Sequence, residues 1–194
     1  NGYIKPVDGY TTDAYAIYTD YNSDDYVVEA EIYPVSNGSM GIAARYTSST
    51  NHYAFFIHPA SNKAYLKKGN IAADATGLLA VADVPLSLSR WYRLSMIVAG
   101  HAIQAFIDGK PIFSYVDDST VIASGKAGML SGNNLSSGMF DNFSIKPITY
   151  GSTYVDNNAK DVAVPTNLTK VSATPAENAQ TTSKTITIVF SDAV

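Results

Sequence analysis

From residue 26 to residue 145 the chain alternates apolar and polar side chains every second residue, in runs cut by turn-forming residues. That period places successive side chains on opposite faces of an extended strand, so it points to an antiparallel sandwich or barrel, and helical periodicity is hard to find anywhere. In DYVVEAEIYPV, Val28, Ala30 and Ile32 alternate with Val27, Glu29, Glu31 and Tyr33. In MGIAARYT, Ile42, Ala44 and Tyr46 oppose Gly41, Ala43 and Arg45. HYAFFIHP sends Tyr53, Phe55 and Ile57 one way and His52, Ala54, Phe56 and His58 the other, and KAYLKKG sets Ala64 and Leu66 against Lys63, Tyr65 and Lys67. The clusters SNGS (36–39) and TSSTN (47–51) mark turns, and Asp108-Gly109 is a favoured pair for a two-residue hairpin. With Gly100 it divides RWYRLSMIVAGHAIQAFIDGKPIFSYVDD into three strands, followed by GKAGMLSGNN and GMFDNFSI. About ten to twelve strands are expected, with one short helical turn at PLSLSRW capped by Ser87 or Ser89.

Composition narrows what such a fold can do. Cysteine is absent, which excludes disulfides, thiolate metal sites and thiol nucleophiles together. The formal charge is −4, and Lys and Arg are scattered rather than striped, which argues against a nucleic-acid partner. No apolar run approaches the roughly 18 residues of a membrane span, so a soluble chain without a membrane partner is expected. The 14 tyrosines stand out in a chain with 15% charged residues. Tyr offers a flat apolar face and a hydroxyl, which suits either a polar ring-shaped ligand or a half-buried sheet position.

The alternation stops at Lys146-Pro147. We expect a sandwich over 1–147, a polar linker over 148–166 containing DNNAKD, and over 167–194 the beginning of a second β module, visible in Ile186, Ile188 and Phe190. The opening NGYIKPVDGY reads as the interior of a longer chain, so a monomeric module within a larger multidomain protein is the expected context.

The order of strands, with Trp91-Tyr92-Arg93, Asp108-Gly109-Lys110 and Phe140-Asp141-Asn142 as its most specific elements, resembles the concanavalin A-like, laminin-G-like jelly-roll domains over about residues 7–147. Noncatalytic carbohydrate-binding modules of bacterial polysaccharide-degrading enzymes are the most similar in character. The tail, SATPAEN then KTITIVFSDAV, is similar to the opening of bacterial immunoglobulin-like repeats. The resemblance implies an all-β fold of two antiparallel sheets packed face to face, a polysaccharide or oligosaccharide partner, and a secreted or cell-surface location. It also implies a role for Asp141 as ligand of a structural calcium, a hard cation that takes carboxylate and carbonyl oxygens. The alternative is that Asp141 bonds a backbone turn. Members of that family usually open with an acidic strand that supplies further ligands, and this sequence either begins after that point or lacks it.

Enzymes share this fold. Laminarinase-type hydrolases place three carboxylates at alternate positions of one strand, acid and nucleophile about 5 Å apart. EAEIY offers only Glu29 and Glu31 before Tyr33, so a solvated strand face is the better reading and no catalytic residue is assigned. A triad or zinc site finds only His52, His58 and His101, with no GxSxG elbow. If Tyr53, Phe55 and Ile57 are core, then Arg45, His52, Phe56, His58, Tyr65 and Lys67 share the outward side of three strands. There they are expected to stack and hydrogen-bond a sugar, with a slight preference for an anionic one, unless another sheet, loop or domain covers them. The second candidate is the loop edge around Trp91, Asn133 and Asn134. The expected function is a noncatalytic carbohydrate-binding module. The alternatives are an adhesion module for a protein partner and a divergent glycosidase or polysaccharide lyase.

Overall fold

The computed structural model describes residues 3–5, 13–69, 71–132, 138–148, 170–174 and 187–190. The chain divides into two units, Asn1–Pro147 and Ile148–Val194. In the second, β12 (Lys170–Thr174) pairs antiparallel with β13 (Thr187–Phe190).

The first unit is an antiparallel sandwich of a six-stranded and a five-stranded sheet. In the six-stranded sheet the order is β1 (Ala14–Ser23), β10 (Gly125–Ser131), β3 (Met40–Ser48), β4 (Asn51–His58), β5 (Lys63–Lys68) and β6 (Leu78–Asp83). In the other it is β11 (Gly138–Pro147), β2 (Tyr26–Pro34), β7 (Tyr92–Ala99), β8 (Ala102–Ile107) and β9 (Lys110–Val116). Ile4 bridges Phe140 at the edge of the smaller sheet. The β8–β9 hairpin turns on Asp108 and Gly109, both at positive φ (51° and 76°), the geometry for which an Asp-Gly pair is selected.

The alternating residues make the core. Tyr26, Val28, Ala30 and Ile32 of β2 and Leu94, Met96 and Val98 of β7 face Met40, Ile42, Tyr53, Phe55, Ile57 and Leu66 of the larger sheet. Phe55 meets Phe113 of β9 edge-on, ring centroids 6.0 Å apart. Burying each such side chain contributes roughly 1.5–3 kcal/mol.

Several bulges break the alternation, and two of them decide where functional-looking residues go. In β11, Asp141 pairs with Glu31 and Ser144 with Glu29, so Asn142 and Phe143 together oppose Ala30. Asn142 takes φ +51°, a conformation Asn tolerates better than most residues. The extra residue lets Phe140 and Phe143, three apart, both pack on the core, which strict alternation forbids. In β3, Ala43 pairs with Gly128 and Tyr46 with Lys126, so Ala44 and Arg45 oppose Ala127. Arg45 sits at φ +50° and turns inward, while Tyr46 takes the outer face.

The helical turn expected at PLSLSRW does not form. Ser89 N–H donates to Pro34 O, and the Tyr92 hydroxyl accepts from Ser87 N–H and donates to Ser87 O, holding that stretch open. The one short helical turn among the described residues is a 3-10 turn at Pro59–Ser61.

Candidate functional site

The outer face of the six-stranded sheet carries the patch anticipated from the alternation, but four of its six residues have no surface. Arg45 is 1% exposed, and His52, Phe56 and Lys67 are fully buried. Each burial has its own cause.

Arg45 has left that face through the β3 bulge and plugs one end of the sandwich. Its Nε donates to Asp24 O (2.7 Å), its Nη1 to Gly100 O and Ile122 O (both 2.8 Å), and its Nη2 to the Asp25 carboxylate (3.1 Å). Four of its five N–H groups are engaged by three loops, and the side chain is buried, so it presents nothing to a ligand. Beside it, buried Asp117 accepts from the Tyr53 hydroxyl, from Ser119 and from Lys68. Burial alone would raise the Asp117 carboxyl, but these bonds outweigh it and hold it far below the ordinary carboxylate range.

Lys67 is covered by the loop between β5 and β6. Its ammonium donates to Ala72 O (2.5 Å), Asp74 O (3.2 Å) and the Asp74 carboxylate (2.7 Å). Gly69 and Gly77, at φ +69° and +66°, form the base of this loop, and a Cβ at either would strike backbone at 2.2–2.3 Å. Ile71, buried, anchors the loop in a second apolar cluster with Ala43, Ala54, Phe56, Tyr65 and Leu130. The registers place Tyr15, Leu130, Gly41, Phe56, Tyr65 and Val81 in one row across all six strands. Phe56 stacks on Tyr65 at 5.1 Å, and His52 lies between Tyr15 and Tyr46 at 5.4 and 5.2 Å. His52 Nδ1 donates to Ser48 O (3.1 Å), its Nε2 has no partner, and burial lowers its pKa.

Of the anticipated patch only its rim reaches the surface. His58 is half-buried, with Nδ1 2.9 Å from Ser61 Oγ and its pKa lowered by burial, and Tyr65 is 7% exposed. The expected anionic preference also loses its basis, because the two cations that motivated it are buried against Asp25 and Asp74. Asn133 and Asn134 lie outside the described residues.

The outer face of the five-stranded sheet is the opposite case. Glu29, Glu31 and Tyr33 of β2 point outward, and Glu31 pairs with Arg93 of β7. Continuing that register sets Trp91 beside Tyr33, ring centroids 5.2 Å apart, with Trp91 38% exposed. Next to this aromatic pair two hollows adjoin across the strands. One, about 230 Å³, lies between β2, β7 and β11 and is lined by Glu31, Asn142, Ser144 and Lys146. The other, about 510 Å³, reaches Ser95, Phe106 and Asp108. They share Glu29 and Arg93, whose ion pair (2.9 Å) forms the ridge between them. Lys146 also donates to Glu29 (2.5 Å). Burial would raise Glu29, but the bonds from Lys146 and Arg93 prevail and keep its carboxyl below the ordinary value. Asp108 accepts from Arg90 and from the Arg93 N–H.

Asp141 opposes Glu31 directly, and Asn142 mediates between the two carboxylates. Its backbone N–H donates to Asp141 Oδ1 and its side-chain amide to Glu31 Oε2, both at 2.7 Å. Calcium takes about six to eight oxygen ligands. Among the described residues no group of three His, Cys, Asp or Glu gathers, and the bond that Asp141 Oδ1 makes is to the Asn142 N–H of the next residue.

Sequence reasoning placed Glu29, Glu31 and Tyr33 on one face but missed Arg93, Asn142, Lys146, Phe106 and Asp108 as their neighbours. Only the strand register brings these together.

The fold just described is a two-sheet jelly-roll sandwich, the architecture of carbohydrate-binding modules and galectin-like proteins. It superposes on the carbohydrate-binding module CBM66 from Bacillus subtilis with a TM-score of 0.61 at 14% identity, covering 75% of this chain and 91% of that one. A Bacillus subtilis protein of unknown function with a galectin-like fold gives 0.52 at 16% identity, over 70% and 76% of the two chains. A β-fructofuranosidase from Aspergillus kawachii, complexed with glycerol, gives 0.52 at 12% identity, over 71% of this chain and 26% of that enzyme. No protein-family model matches the sequence, and no curated protein matches it either.

Proposed function

We propose that this chain is a noncatalytic carbohydrate-binding module that holds a secreted or cell-surface protein on a polysaccharide. The observation that carries this reading is the outer face of the five-stranded sheet. It sets an exposed Trp91–Tyr33 pair beside hollows lined by carboxylate, amide, guanidinium and hydroxyl groups. An aromatic face stacks on the C–H face of a sugar ring, and planar polar side chains fixed by their neighbours bond paired hydroxyls with little ordering cost. The likeness to a carbohydrate-binding module and to a quarter of a glycosidase agrees with an accessory role.

Catalysis is disfavoured by the chemistry of the same face. A general acid must hold its proton near neutral pH, and Glu29 is kept ionised by two cations. Retardation of the chain in native gels containing levan, xylan, mixed-linkage glucan, mannan, galactan or polygalacturonate tests the reading. At least one should retard it, and Trp91→Ala should weaken that retardation at least tenfold in apparent Kd. Free migration through every gel would refute sugar binding, and reducing-sugar release lost in Glu29→Gln would make the chain an enzyme.

A further inference from the structure

Resting on the sugar-binding reading, we infer that the face takes an internal segment of a neutral glycan, about three residues long, laid across the strands rather than along them. Three features of the hollows support this.

The first is direction. The hollows take their lining from β11, β2 and β7 and from β2, β7 and β8, which are neighbours in that order, so together they extend across the strands. At ~4.8 Å between neighbouring strands the path is roughly 14 Å, the length of about three sugar residues in an extended chain. A site for chain ends needs a blind pocket that buries one terminal ring, whereas here two hollows follow one another across the sheet.

The second is the ridge between them. Arg93 and Glu29 are both within the sheet's polar surface and already bonded to each other, so they present fixed edges to whatever crosses above. A chain crossing there meets Asn142 and Glu31 on the β11 side and Phe106 and Ser95 on the β8 side. Each hollow thus pairs one sugar with its own contacts, and a single sugar could use only one set.

The third is charge. Arg93 and Lys146 both bond Glu29, and Arg90 bonds Asp108. Glu31 bonds the Asn142 amide and, among the described residues, no cation. Taken together, Glu29, Glu31 and Asp108 offset Arg90, Arg93 and Lys146, so the face presents no net positive charge to draw a uronate, while its carboxylates accept hydroxyl protons well.

The experiment uses the full chain. The neutral polysaccharide that retards it most is hydrolysed to oligosaccharides of one to six residues, and each is titrated calorimetrically with its end sugar intact or reduced by borohydride. The Kd should fall at least tenfold from monosaccharide to trisaccharide, change less than about twofold beyond four residues, and ignore end reduction. Ser95→Trp, which fills the larger hollow, should raise the trisaccharide Kd tenfold with the melting temperature kept. A monosaccharide that binds as well as the trisaccharide, loss of binding on end reduction, or retardation by polygalacturonate alone would overturn the inference while leaving sugar binding intact. No retardation by any polysaccharide would remove both.

Discussion

Both outer faces of the sandwich carry charged and aromatic residues, yet one is filled and the other is open. On the six-stranded sheet strict alternation would send Arg45 and Lys67 outward, but a bulge turns Arg45 inward and a loop covers Lys67, and each ion is bonded to loop carbonyls and one carboxylate. On the five-stranded sheet Glu29, Arg93 and Lys146 bond to one another and stay in contact with solvent. A charge in a strand therefore does not mark surface. What decides is whether nearby backbone offers enough fixed acceptors to replace water, since an ion without them is costly to bury.

The contrast is most exposed to failure at Arg45. Arg45→Ala would leave three carbonyls and the Asp25 carboxylate without their cation, and breaking a buried ion pair in this way costs about 3–5 kcal/mol. Urea titration measures it. A loss below about 1 kcal/mol would mean that the plug is an ordinary surface arginine.

A smaller effect separates the faces by acid. Burial lowers His52 and His58 on the filled side, so the unfolded chain takes up protons first as pH falls below about 6.5, and stability declines there. Asp117 is lowered as well, so its contribution is complete above the ordinary aspartate value and is lost only as pH falls through its depressed folded value. Unfolding free energies at pH 7, 5.5 and 3 should fall in that order. Equal values at pH 7 and 5.5 would contradict the buried, neutral histidines.

The smallest stability change belongs to the open face. Arg93→Ala removes an ion pair whose arginine is more than half exposed, worth at most about 1 kcal/mol. The same change should weaken polysaccharide binding at least tenfold. A large drop in melting temperature with binding retained would reverse the roles assigned to the two faces.

Most of the sandwich was legible in the sequence because burial on one face imposes the period of two. The two strands that went unmarked, β1 and β6, are the edges of the six-stranded sheet. LLAVAD in β6 does not alternate, and β1 is mostly exposed or half-exposed, so neither shows the usual signature. The candidate site was less legible. Nothing in KKGNIAADATG says that Lys67 will hold the loop down. An arginine at positive φ is rarer still, so the bulge that exchanges Arg45 with Tyr46 has no local signal. Pairing Trp91 with Tyr33 and Arg93 with Glu31 depends on register, which the alternation leaves free by whole steps of two.

The β3 bulge also bears on how this chain should be aligned with others. One surplus residue acts as a phase marker: upstream of Ala44 odd and even positions mean one thing, and from Tyr46 onward they mean the reverse. A homologue that lacks the bulge is one residue shorter there, and an ungapped alignment would match its inward positions to outward ones here. Deleting Arg45 would remove the end plug and restore strict alternation, with Tyr46 following Ala44 directly and still on the outer face. A gap of one residue in this strand is therefore a change of architecture, to be weighed more heavily than several substitutions.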